Sequence, residues 1–294
     1  MKKILILGAS GFIGRHLKEE LSRDKGLVVH VPTHKELELL NPEETARYIE
    51  KGSFDVIFHT AVFHAKPESD IQEIIEKDKK LYENVSRCRK HFGRMIYIGS
   101  GAEYDKRFPI VKVSENEIGK SMPMSGYGIA KYEIGQDIEQ SENIYNFRVF
   151  GMFGYGEDWR HTFISNAICK SLYGYPISIR QDVEFTYMWI KDFCKIARWA
   201  IDADLKYHTY NMGTNHTYKL SELATIVKQI TGNEMPVFIC KEGLGNEYTT
   251  NGRRFMEEFP EWKETDIRLA IKELYEEYKK HKEDISLQTL IYGE

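Results

Sequence analysis

The sequence has few cysteines, and their spacing excludes the usual structural uses of this residue. The 294 residues include Cys88, Cys169, Cys194 and Cys240, which stand far apart and form no Cys-x-x-Cys pair. This spacing argues against a zinc site and against a disulfide framework. We therefore expect reduced thiols, no metal and a cytoplasmic protein.

Long apolar runs and an excess of positive charge are missing as well. The apolar run Ile4–Leu7 ends at a glycine, and no stretch is long and apolar enough to cross a bilayer. The formal net charge is −4 and the basic residues are dispersed, so no nucleic-acid surface is indicated. We expect a soluble protein without a membrane or nucleic-acid partner, long enough for one large α/β domain or two small ones.

The N-terminus contains a strand, a glycine turn and a helix in immediate succession. The apolar run Lys3–Leu7 is followed by GASGFIG at 8–14 and then by an amphipathic stretch. Gly8 permits the tight turn, Gly11 lets the backbone approach a pyrophosphate, and Gly14 allows the helix to pack on the strand. We favour dinucleotide binding over a merely structural turn, with these contacts: Gly8, Ser10, Gly11, Phe12, Ile13 and Gly14.

The second parallel strand is predicted at Leu27–Val31 and runs into Pro32-Thr33-His34-Lys35. Enzymes that prefer NAD usually have an acidic residue at the end of this strand, where it binds the ribose hydroxyl. No carboxylate follows the strand directly, and Thr33, His34 and Lys35 suit a phosphate on that ribose. We therefore favour NADP (as NADPH) over NAD, with a solvated basic turn as the alternative.

Strands and helices alternate through the next hundred residues. Strands are predicted at Phe54–His59, Met95–Ile98 and Asn146–Val149, and the clearest helices at Leu81–Phe92 and Tyr127–Gln140. This alternation predicts an α/β fold with a Rossmann-type doubly wound parallel sheet, which binds ligands at the carboxyl ends of its strands. The loops expected there contain Thr60 and Ala61, Ser100 to Ala102, and Phe150 to Arg160.

Tyr127 and Lys131 lie four residues apart and so share one face of the predicted helix. The spacing alone also fits a chance pair of residues. To exchange protons near neutral pH, a phenol with a pKa of about 10 needs that pKa lowered by ~3 units, or ~4 kcal/mol. A lysine cation ~4 Å away, at an effective dielectric of about 20, supplies roughly that much. With Ser100 after the preceding strand, the residues predict a proton-transfer site.

Together these motifs resemble the short-chain dehydrogenase/reductase superfamily, in its extended branch that acts on nucleotide sugars. The segment at 8–14 resembles the cofactor loop of that branch, and Tyr127-Gly-Ile-Ala-Lys131 resembles its YxxxK motif. Four further segments resemble the branch's DxVxHxAA, SSxxVYG, RxxNxYGP and NxG patterns, in that order: DVIFHTA at 55–61, SGAEY at 100–104, RVFGMFG at 148–154 and NMG at 211–213.

The resemblance implies a role for each polar residue. Tyr127 is the acid/base, Lys131 binds the ribose hydroxyls and lowers the tyrosine's pKa, and Ser100 hydrogen-bonds the sugar oxygen that is oxidised or reduced. The 4,6-dehydratases of the branch carry Asp-Glu where this sequence has Gly101-Ala102, so dehydration is disfavoured. A reductase that uses NADPH and a 4-epimerase that keeps its NAD remain.

Two segments favour the reductase. Val31–Asn41 and Trp159–Ile168 resemble regions of GDP-L-fucose synthase-type nucleotide-sugar reductases, the second of which contains a histidine acid. His161 is therefore a predicted second acid, able to titrate near neutral pH, with a capping or surface histidine as the alternative. The reactive cysteine of that group corresponds to Ala102, so 4-keto reduction without epimerisation is the simpler interpretation.

We accordingly expect an NAD(P)H-dependent reductase of a nucleotide-linked 4-keto, 6-deoxy sugar (GDP-, CDP- or dTDP-linked), acting in surface-polysaccharide biosynthesis. The alternatives are a nucleotide-sugar 4-epimerase with tightly bound NAD and a non-catalytic dinucleotide-sensing protein. The resemblance also implies a homodimer formed by the two helices that flank the active-site strand.

Two arginines are the predicted contacts to the substrate's diphosphate. The segment that begins at Arg180 resembles the RxFxYxxVxD segment of the branch, in which an arginine approaches the diphosphate. A guanidinium can bind two phosphate oxygens at once. Asn251–Arg254 offers a second basic cluster, and for both an ordinary solvated charge is the alternative. The predicted substrate-binding residues are Ser100, Gly101, Ala102, Arg180 and Arg253.

The pattern of strands and helices becomes less regular from about Asp158. We therefore expect a Rossmann domain at 1–157, to which 181–214 return. A smaller C-terminal substrate-binding subdomain is expected from 158–180 and 215–294.

Overall fold

A computed structural model describes residues 1–292 of the chain. Its strands are β1 (Lys2–Leu7), β2 (Leu27–His30), β3 (Val56–His59), β4 (Arg94–Ser100), β5 (Ile110–Val113), β6 (Ile144–Val149), β7 (Met152–Phe153), β8 (Ile177–Asp182), β9 (Glu184–Phe185), β10 (Met188–Trp189), β11 (Thr209–Met212), β12 (Tyr218–Lys219), β13 (Val237–Leu244) and β14 (Tyr248–Thr250). Its helices are α1 (Phe12–Leu21), α2 (Pro42–Gly52), α3 (Ile71–Ser86), α4 (Gly126–Ile138), α5 (Phe163–Leu172), α6 (Ile190–Ala200), α7 (Leu220–Thr231), α8 (Arg253–Glu258), α9 (Ile267–Lys280) and α10 (Leu287–Tyr292). Short 3₁₀ turns occur at Arg89–His91, Gly101–Glu103, Glu115–Glu117 and Lys282–Asp284.

Six strands form the main sheet in the order β11-β6-β4-β3-β1-β2. Every neighbouring pair is parallel. The chain moves outward from β1 in both directions, to β2 on one side and to β3 on the other, so the strand order reverses at β1. A sheet of this kind binds ligands at that reversal, outside the carboxyl ends of the strands. The predicted doubly wound α/β fold is confirmed.

Both faces of the main sheet are buried, which a parallel sheet requires. Side chains alternate along β1, so that Ile4 and Ile6 pack into one core cluster and Leu5 and Leu7 into the other. Helices α1, α5 and α6 contribute to the first cluster, and helices α2, α3 and α4 to the second. This packing fixes the loops at the carboxyl edge of the sheet on a rigid base.

Three smaller sheets lie beside the main one. Strands β12-β9-β14-β5 form a four-stranded sheet, while β13 pairs with β8 and β10 with β7. Strand β5 belongs to the predicted Rossmann segment 1–157 by sequence, yet it pairs with β14 near the C-terminus. The pairing of β5 with β14 shows that the N-terminal half also contributes a strand to the four-stranded sheet. The predicted domain boundaries remain a prediction.

Helix α3 is the largest difference from the predicted elements. The sequence predicts a helix at Leu81–Phe92, whereas α3 begins ten residues earlier and ends at Ser86. The Asp70 carboxylate caps it by accepting a hydrogen bond from the Glu73 N–H at 2.7 Å. The run Glu76–Lys80 in its middle is wholly charged, so it separates the apolar positions Ile71, Ile74 and Ile75 from the apolar periodicity that begins at Leu81. None of the helices within residues 1–292 has the length and apolarity to span a membrane.

Candidate active site

A cavity of about 1260 Å³ lies at the carboxyl edge of the main sheet. One wall consists of the loops after β1, β3, β4 and β6 and of the first turns of α1 and α4. The opposite wall contains Phe185, Tyr187 and Tyr248. Phe185 and Tyr248 come from the four-stranded sheet, called the smaller sheet below, and Tyr187 from the loop after β9. Small-molecule pockets usually measure ~300–1,000 Å³, so this cavity exceeds the usual size of a pocket for one small molecule.

The glycine loop after β1 has a backbone that side chains would disrupt. Gly8 has a positive φ of 81°, and a Cβ on it would lie 2.7 Å from the Ala61 backbone nitrogen. A Cβ on Gly14 would lie 2.3 Å from the Gly8 carbonyl oxygen. Thr60 closes the turn because its hydroxyl donates to the Leu7 carbonyl at 2.7 Å. The glycines therefore allow close backbone packing around the start of α1.

The start of α1 suits a pyrophosphate. Gly11 precedes the helix without a side-chain hydrogen bond to cap it, and the first turn contains no acidic residue. The first backbone N–H groups of a helix lack intrahelical partners and point at whatever lies in front of them. These residues therefore fit a dinucleotide, whose diphosphate would meet N–H donors and the positive end of the helix.

The structure brings the predicted cofactor-binding residues to the cavity with one exception. Lys35 is exposed and lies outside the lining, because it belongs to a surface turn after β2. The residues that do line the cavity are Gly8, Ser10, Gly11, Phe12, Ile13, Gly14, Thr33, His34, Thr60, Ala61, Tyr127 and Lys131.

Two carboxylates lie at the end of β2, where the sequence reading found none. A Glu36 carboxylate oxygen accepts hydrogen bonds from the Thr33 N–H at 2.8 Å and from its hydroxyl at 2.9 Å, which lowers the pKa of Glu36. Glu38 lines the cavity, 3.8 Å from His34. The reading was wrong because the turn brings acids from further along the chain. Its sequence signal was the spacing Thr33-x-x-Glu36 of a capping box.

Lys131 lies one turn above Tyr127 on the same face of α4, as the spacing predicts. Its buried ammonium donates to the Tyr97 hydroxyl at 2.8 Å and to the Ile98 carbonyl at 2.9 Å. It stands 5.5 Å from the centre of the Tyr127 ring. Ser125 fixes the start of the helix because its hydroxyl oxygen accepts the Gly128 N–H.

Ser100, the last residue of β4, lines the cavity with Tyr127 and Lys131. Its hydroxyl oxygen accepts the Ala102 N–H at 3.1 Å. The hydroxyl hydrogen is therefore free to point into the cavity, toward the phenol or a substrate oxygen. The arrangement can donate two hydrogen bonds to a single oxygen atom, one from Ser100 and one from Tyr127.

Burial controls the protonation of this group. Although Tyr127 faces the cavity, protein surrounds its phenol and raises its pKa to about 12, and a hydrogen bond with Ser100 opposes that rise. Burial lowers the pKa of Lys131 to about 8, against the attraction of Asp78 and Glu103. The net shift of the tyrosine's pKa is upward because burial dominates, and the predicted role of Lys131 in lowering that pKa stays a prediction. At neutral pH the phenol is protonated and the lysine is charged.

A buried ion pair supports the Ser100 loop from behind. Glu103 accepts hydrogen bonds from the Ser100 N–H at 3.1 Å and from the Arg148 Nε at 2.8 Å, and both charged side chains are almost fully buried. The glutamate is therefore outside the cavity lining, and the prediction that dehydration is disfavoured stays a prediction. Gly101 and Ala102 lie between Ser100 and Glu103, in the 3₁₀ turn Gly101–Glu103, and are outside the cavity lining.

Of the other predicted polar residues, one lines the cavity and two do not. His161 lines the cavity but is largely exposed, 4.0 Å from Asp158. Arg180 points outward from β8, where the alternating isoleucines are buried, and lies outside the lining. Arg253 is exposed and pairs with Glu257 at 2.6 Å. The structure therefore does not bring the two arginines to the site.

The cavity residues that the sequence analysis missed include Tyr248, Lys106 and Glu157. Tyr248 comes from β14, and its hydroxyl oxygen would lie 2.2 Å from a Cβ on Gly101. Lys106 lies near it on the loop after β4. Glu157 is a buried carboxyl that accepts a hydrogen bond from Ser165, and burial raises its pKa to about 7. Tyr248 and Lys106 belong to no motif, so local sequence carried no signal for them, whereas Glu157 lies in the loop at 150–160 that was expected at this edge of the sheet. Residues 1–292 contain no cluster of His, Cys, Asp or Glu arranged to hold a metal.

Comparison with known proteins gives one family. The sequence profile of the NAD dependent epimerase/dehydratase family matches residues 4–213. A curated relative, the "uncharacterized UDP-glucose epimerase YtcB" of Bacillus subtilis (strain 168), is 31% identical over 163 residues, 44% of this chain and 48% of that protein. The match thus spans about half the length of that relative.

Solved structures share the fold over nearly the whole chain. UDP-glucose 4-epimerase with UDP-glucose from Thermotoga maritima has a TM-score of 0.80 at 18% identity, covering 95% of this chain and 99% of that one. GDP-mannoheptose C4 reductase from Campylobacter jejuni with NADP bound has a TM-score of 0.79 at 20% identity, covering 95% and 98%. At these identities the likeness concerns the fold.

Proposed function

We propose that this chain, which belongs to the NAD dependent epimerase/dehydratase family, is an NAD(P)H-dependent reductase of a nucleotide-linked 4-keto, 6-deoxy sugar in surface-polysaccharide biosynthesis. The observation that carries the proposal is the Tyr127 phenol in the same cavity as the Ser100 hydroxyl, where burial raises the phenol's pKa and keeps its proton in place at neutral pH. Reduction of a ketone consumes a proton, so its catalyst must begin with an acid in place.

The dinucleotide, held by the glycine loop and by Thr60 and Ala61, would supply the hydride to C4. Tyr127 then gives its proton to the C4 oxygen, which becomes a hydroxyl. The Ser100 hydroxyl donates a hydrogen bond to the same oxygen and polarises the ketone. The Lys131 ammonium stabilises the phenolate that remains on Tyr127 until solvent restores the proton. His161 stays a proposed second acid, at the exposed rim of the cavity.

For the cofactor we propose NADPH, with NADH as the alternative. Thr33 and His34 line the cavity at the end of β2 and offer donors to a phosphate on the ribose. The Glu38 carboxylate, which lines the cavity at the same place, opposes a phosphate and suits a free ribose hydroxyl. This second observation favours NAD, and with it the second candidate function, a 4-epimerase that retains its NAD.

We also propose a cytoplasmic homodimer that associates through α3 and α4. The two helices pack side by side on one face of the main sheet, so both can reach a partner. Sedimentation equilibrium measures the mass directly, and a monomer at micromolar concentration would contradict this part of the proposal.

The test is NADPH oxidation, followed by absorbance, with GDP-, CDP- and dTDP-linked 4-keto-6-deoxy sugars made in situ by their dehydratases. Oxidation with one of them establishes the reductase and identifies its substrate. No oxidation with any of them, together with NAD in the purified protein, would favour the epimerase. Dinucleotide binding without turnover of these sugars or of nucleotide-linked 4-hydroxy sugars would leave the sensing protein.

A further inference from the structure

The substrate half of the cavity lacks the cations that the sequence assigned to it. Arg180 and Arg253 lie outside the cavity lining, yet a nucleotide sugar carries a diphosphate, which proteins usually bind with charged donors. Within residues 1–292 the lysines that line the cavity are Lys18, Lys106 and Lys131, and no arginine lines it.

Two of these lysines have other positions or partners. Lys18 lies in the last turn of α1, the helix that follows the glycine loop. Lys131 is buried, and its ammonium already donates to Tyr97 and to the Ile98 carbonyl. Lys106 is the cation that remains for a substrate.

The ammonium of Lys106 is uncompensated. Its nitrogen lies 4.5 Å from the centre of the Tyr248 ring, where it has a cation–π contact. Lys106 is exposed at the cavity, yet the protein around its ammonium lowers its pKa, and no carboxylate among the described residues acts to raise that pKa. A partly desolvated charge without a partner favours binding of an opposite charge.

The backbone around Lys106 is fixed on both sides. Asp105 accepts hydrogen bonds from the Arg107 Nε at 3.0 Å and from the Ser121 hydroxyl at 2.6 Å. The Asn246 side-chain amide donates to the carbonyls of Lys106 and Arg107, at 3.4 and 2.9 Å. The loop therefore need not be ordered when a ligand binds, which lowers the entropic cost of binding.

The Tyr248 ring, against which the Lys106 ammonium lies, contacts the reacting end of the cavity. It packs against Phe150 at 4.9 Å and Phe185 at 5.5 Å between ring centres. Its hydroxyl lies against Gly101, the residue after Ser100, because a side chain at Gly101 would overlap it. A ligand that reaches the ammonium thus extends from the Ser100 end of the cavity, as the sugar and diphosphate of one substrate would.

We propose that Lys106 binds an anionic group of the nucleotide sugar, in the first place an oxygen of its diphosphate. A carboxylate on the sugar offers the same chemistry, and the experiment separates the two sources. The proposal rests on the proposed function, since it assigns a contact to the substrate of that site.

The experiment is isothermal titration of the NADP⁺-saturated protein with UDP, GDP, CDP and dTDP, and with UDP-glucuronic acid. We expect Lys106→Met to weaken binding of the preferred nucleoside diphosphate by about tenfold or more, since a hydrogen bond to a charged group is lost. Lys106→Arg should stay within a few-fold of wild type. Lys112→Met is the matched control, because Lys112 is exposed on β5 outside the cavity lining. Affinity for NADP⁺ should be equal in all four proteins.

The outcomes separate the source of the anion and the two proposals. Weaker binding of the nucleoside diphosphate assigns Lys106 to phosphate, whereas a loss confined to UDP-glucuronic acid assigns it to a sugar carboxylate. Unchanged affinity of Lys106→Met for every probe that wild type binds would overturn the inference and leave the proposed function standing. Wild-type protein that binds NADP⁺ but none of the five probes would overturn both.

Discussion

The two walls of the cavity are built in different ways. The wall on the main sheet consists of short contiguous segments at strand ends, among them 8–14 and the first turns of α4. The wall on the smaller sheet consists of single side chains such as Phe185 and Tyr248, which β9 and β14 bring together by pairing with each other and with β5. The first wall follows from local backbone geometry, and the second from contacts between residues that are distant in the sequence.

The largest expected effect is on the main-sheet wall. Tyr127→Phe removes the proton donor and keeps the ring, so we expect kcat to fall by ~10²–10⁴-fold while the affinity for the dinucleotide stays within a few-fold. Steady-state kinetics and a dinucleotide titration measure the two quantities. Tyr132→Phe is the control, since Tyr132 lies on the same helix and outside the cavity lining. Equal kcat in both variants would remove Tyr127 from the chemistry.

The loop between the two walls carries a buried acid, Glu157, with an expected effect on stability. Its pKa is about 7 in the folded protein, against an ordinary value of 4.5. Between these two values the folded state binds more protons than the unfolded state, so the free energy of unfolding falls as pH rises from 4.5 to about 7 and levels off above. The fall amounts to at most ~3 kcal/mol.

The glutamine of the variant Glu157→Gln cannot ionise, so the free energy of unfolding of this variant should lose that part of its pH dependence. Urea unfolding of the variant and of wild type at several pH values measures it. Glu142→Gln, an exposed glutamate outside the cavity lining, should keep the wild-type slope. If the plots of unfolding free energy against pH run parallel for wild type and Glu157→Gln, Glu157 is ionised throughout this pH range and the account of its burial is contradicted.

A smaller effect is expected from one substitution in each wall, because the two walls should bind different ligands. In Gly14→Ala the new Cβ meets the Gly8 carbonyl, whereas in Gly101→Ala it meets the Tyr248 hydroxyl from the opposite wall. Overpacking of this kind costs ~1–3 kcal/mol. We expect Gly14→Ala to weaken dinucleotide binding, and Gly101→Ala to raise KM for the sugar nucleotide with little change in dinucleotide affinity. Titrations with each ligand measure both, and the same ligand profile in the two variants would contradict the division into two walls.

The contrast also explains how much could be predicted from sequence. Gly8, Gly14, Tyr127 and Lys131 were predicted because each acts within one strand–turn–helix segment, where spacing determines position. Tyr248 was not predictable, since its place depends on the register of β14 with β5 and β9.

Charged residues were the least predictable from local sequence. Arg180 resembles a phosphate contact by motif, but the alternation of β8 directs it to solvent. Glu36 and Glu38 come too late in the sequence to count as the end of β2, yet the turn after the strand brings Glu36 back to Thr33. In both cases the deciding contact is made by a neighbouring turn or strand.

The most direct test of the central claim is transfer of deuterium from [4-²H]NADPH, labelled on either face in separate reactions, to the 4-keto sugar nucleotide, with the product examined by mass spectrometry and NMR. The proposed reductase should place one deuterium at C4 from one of the two labelled faces and release NADP⁺ in equal amount. A product without deuterium from either, formed by protein that retains unlabelled NAD, would contradict the reductase and identify an epimerase.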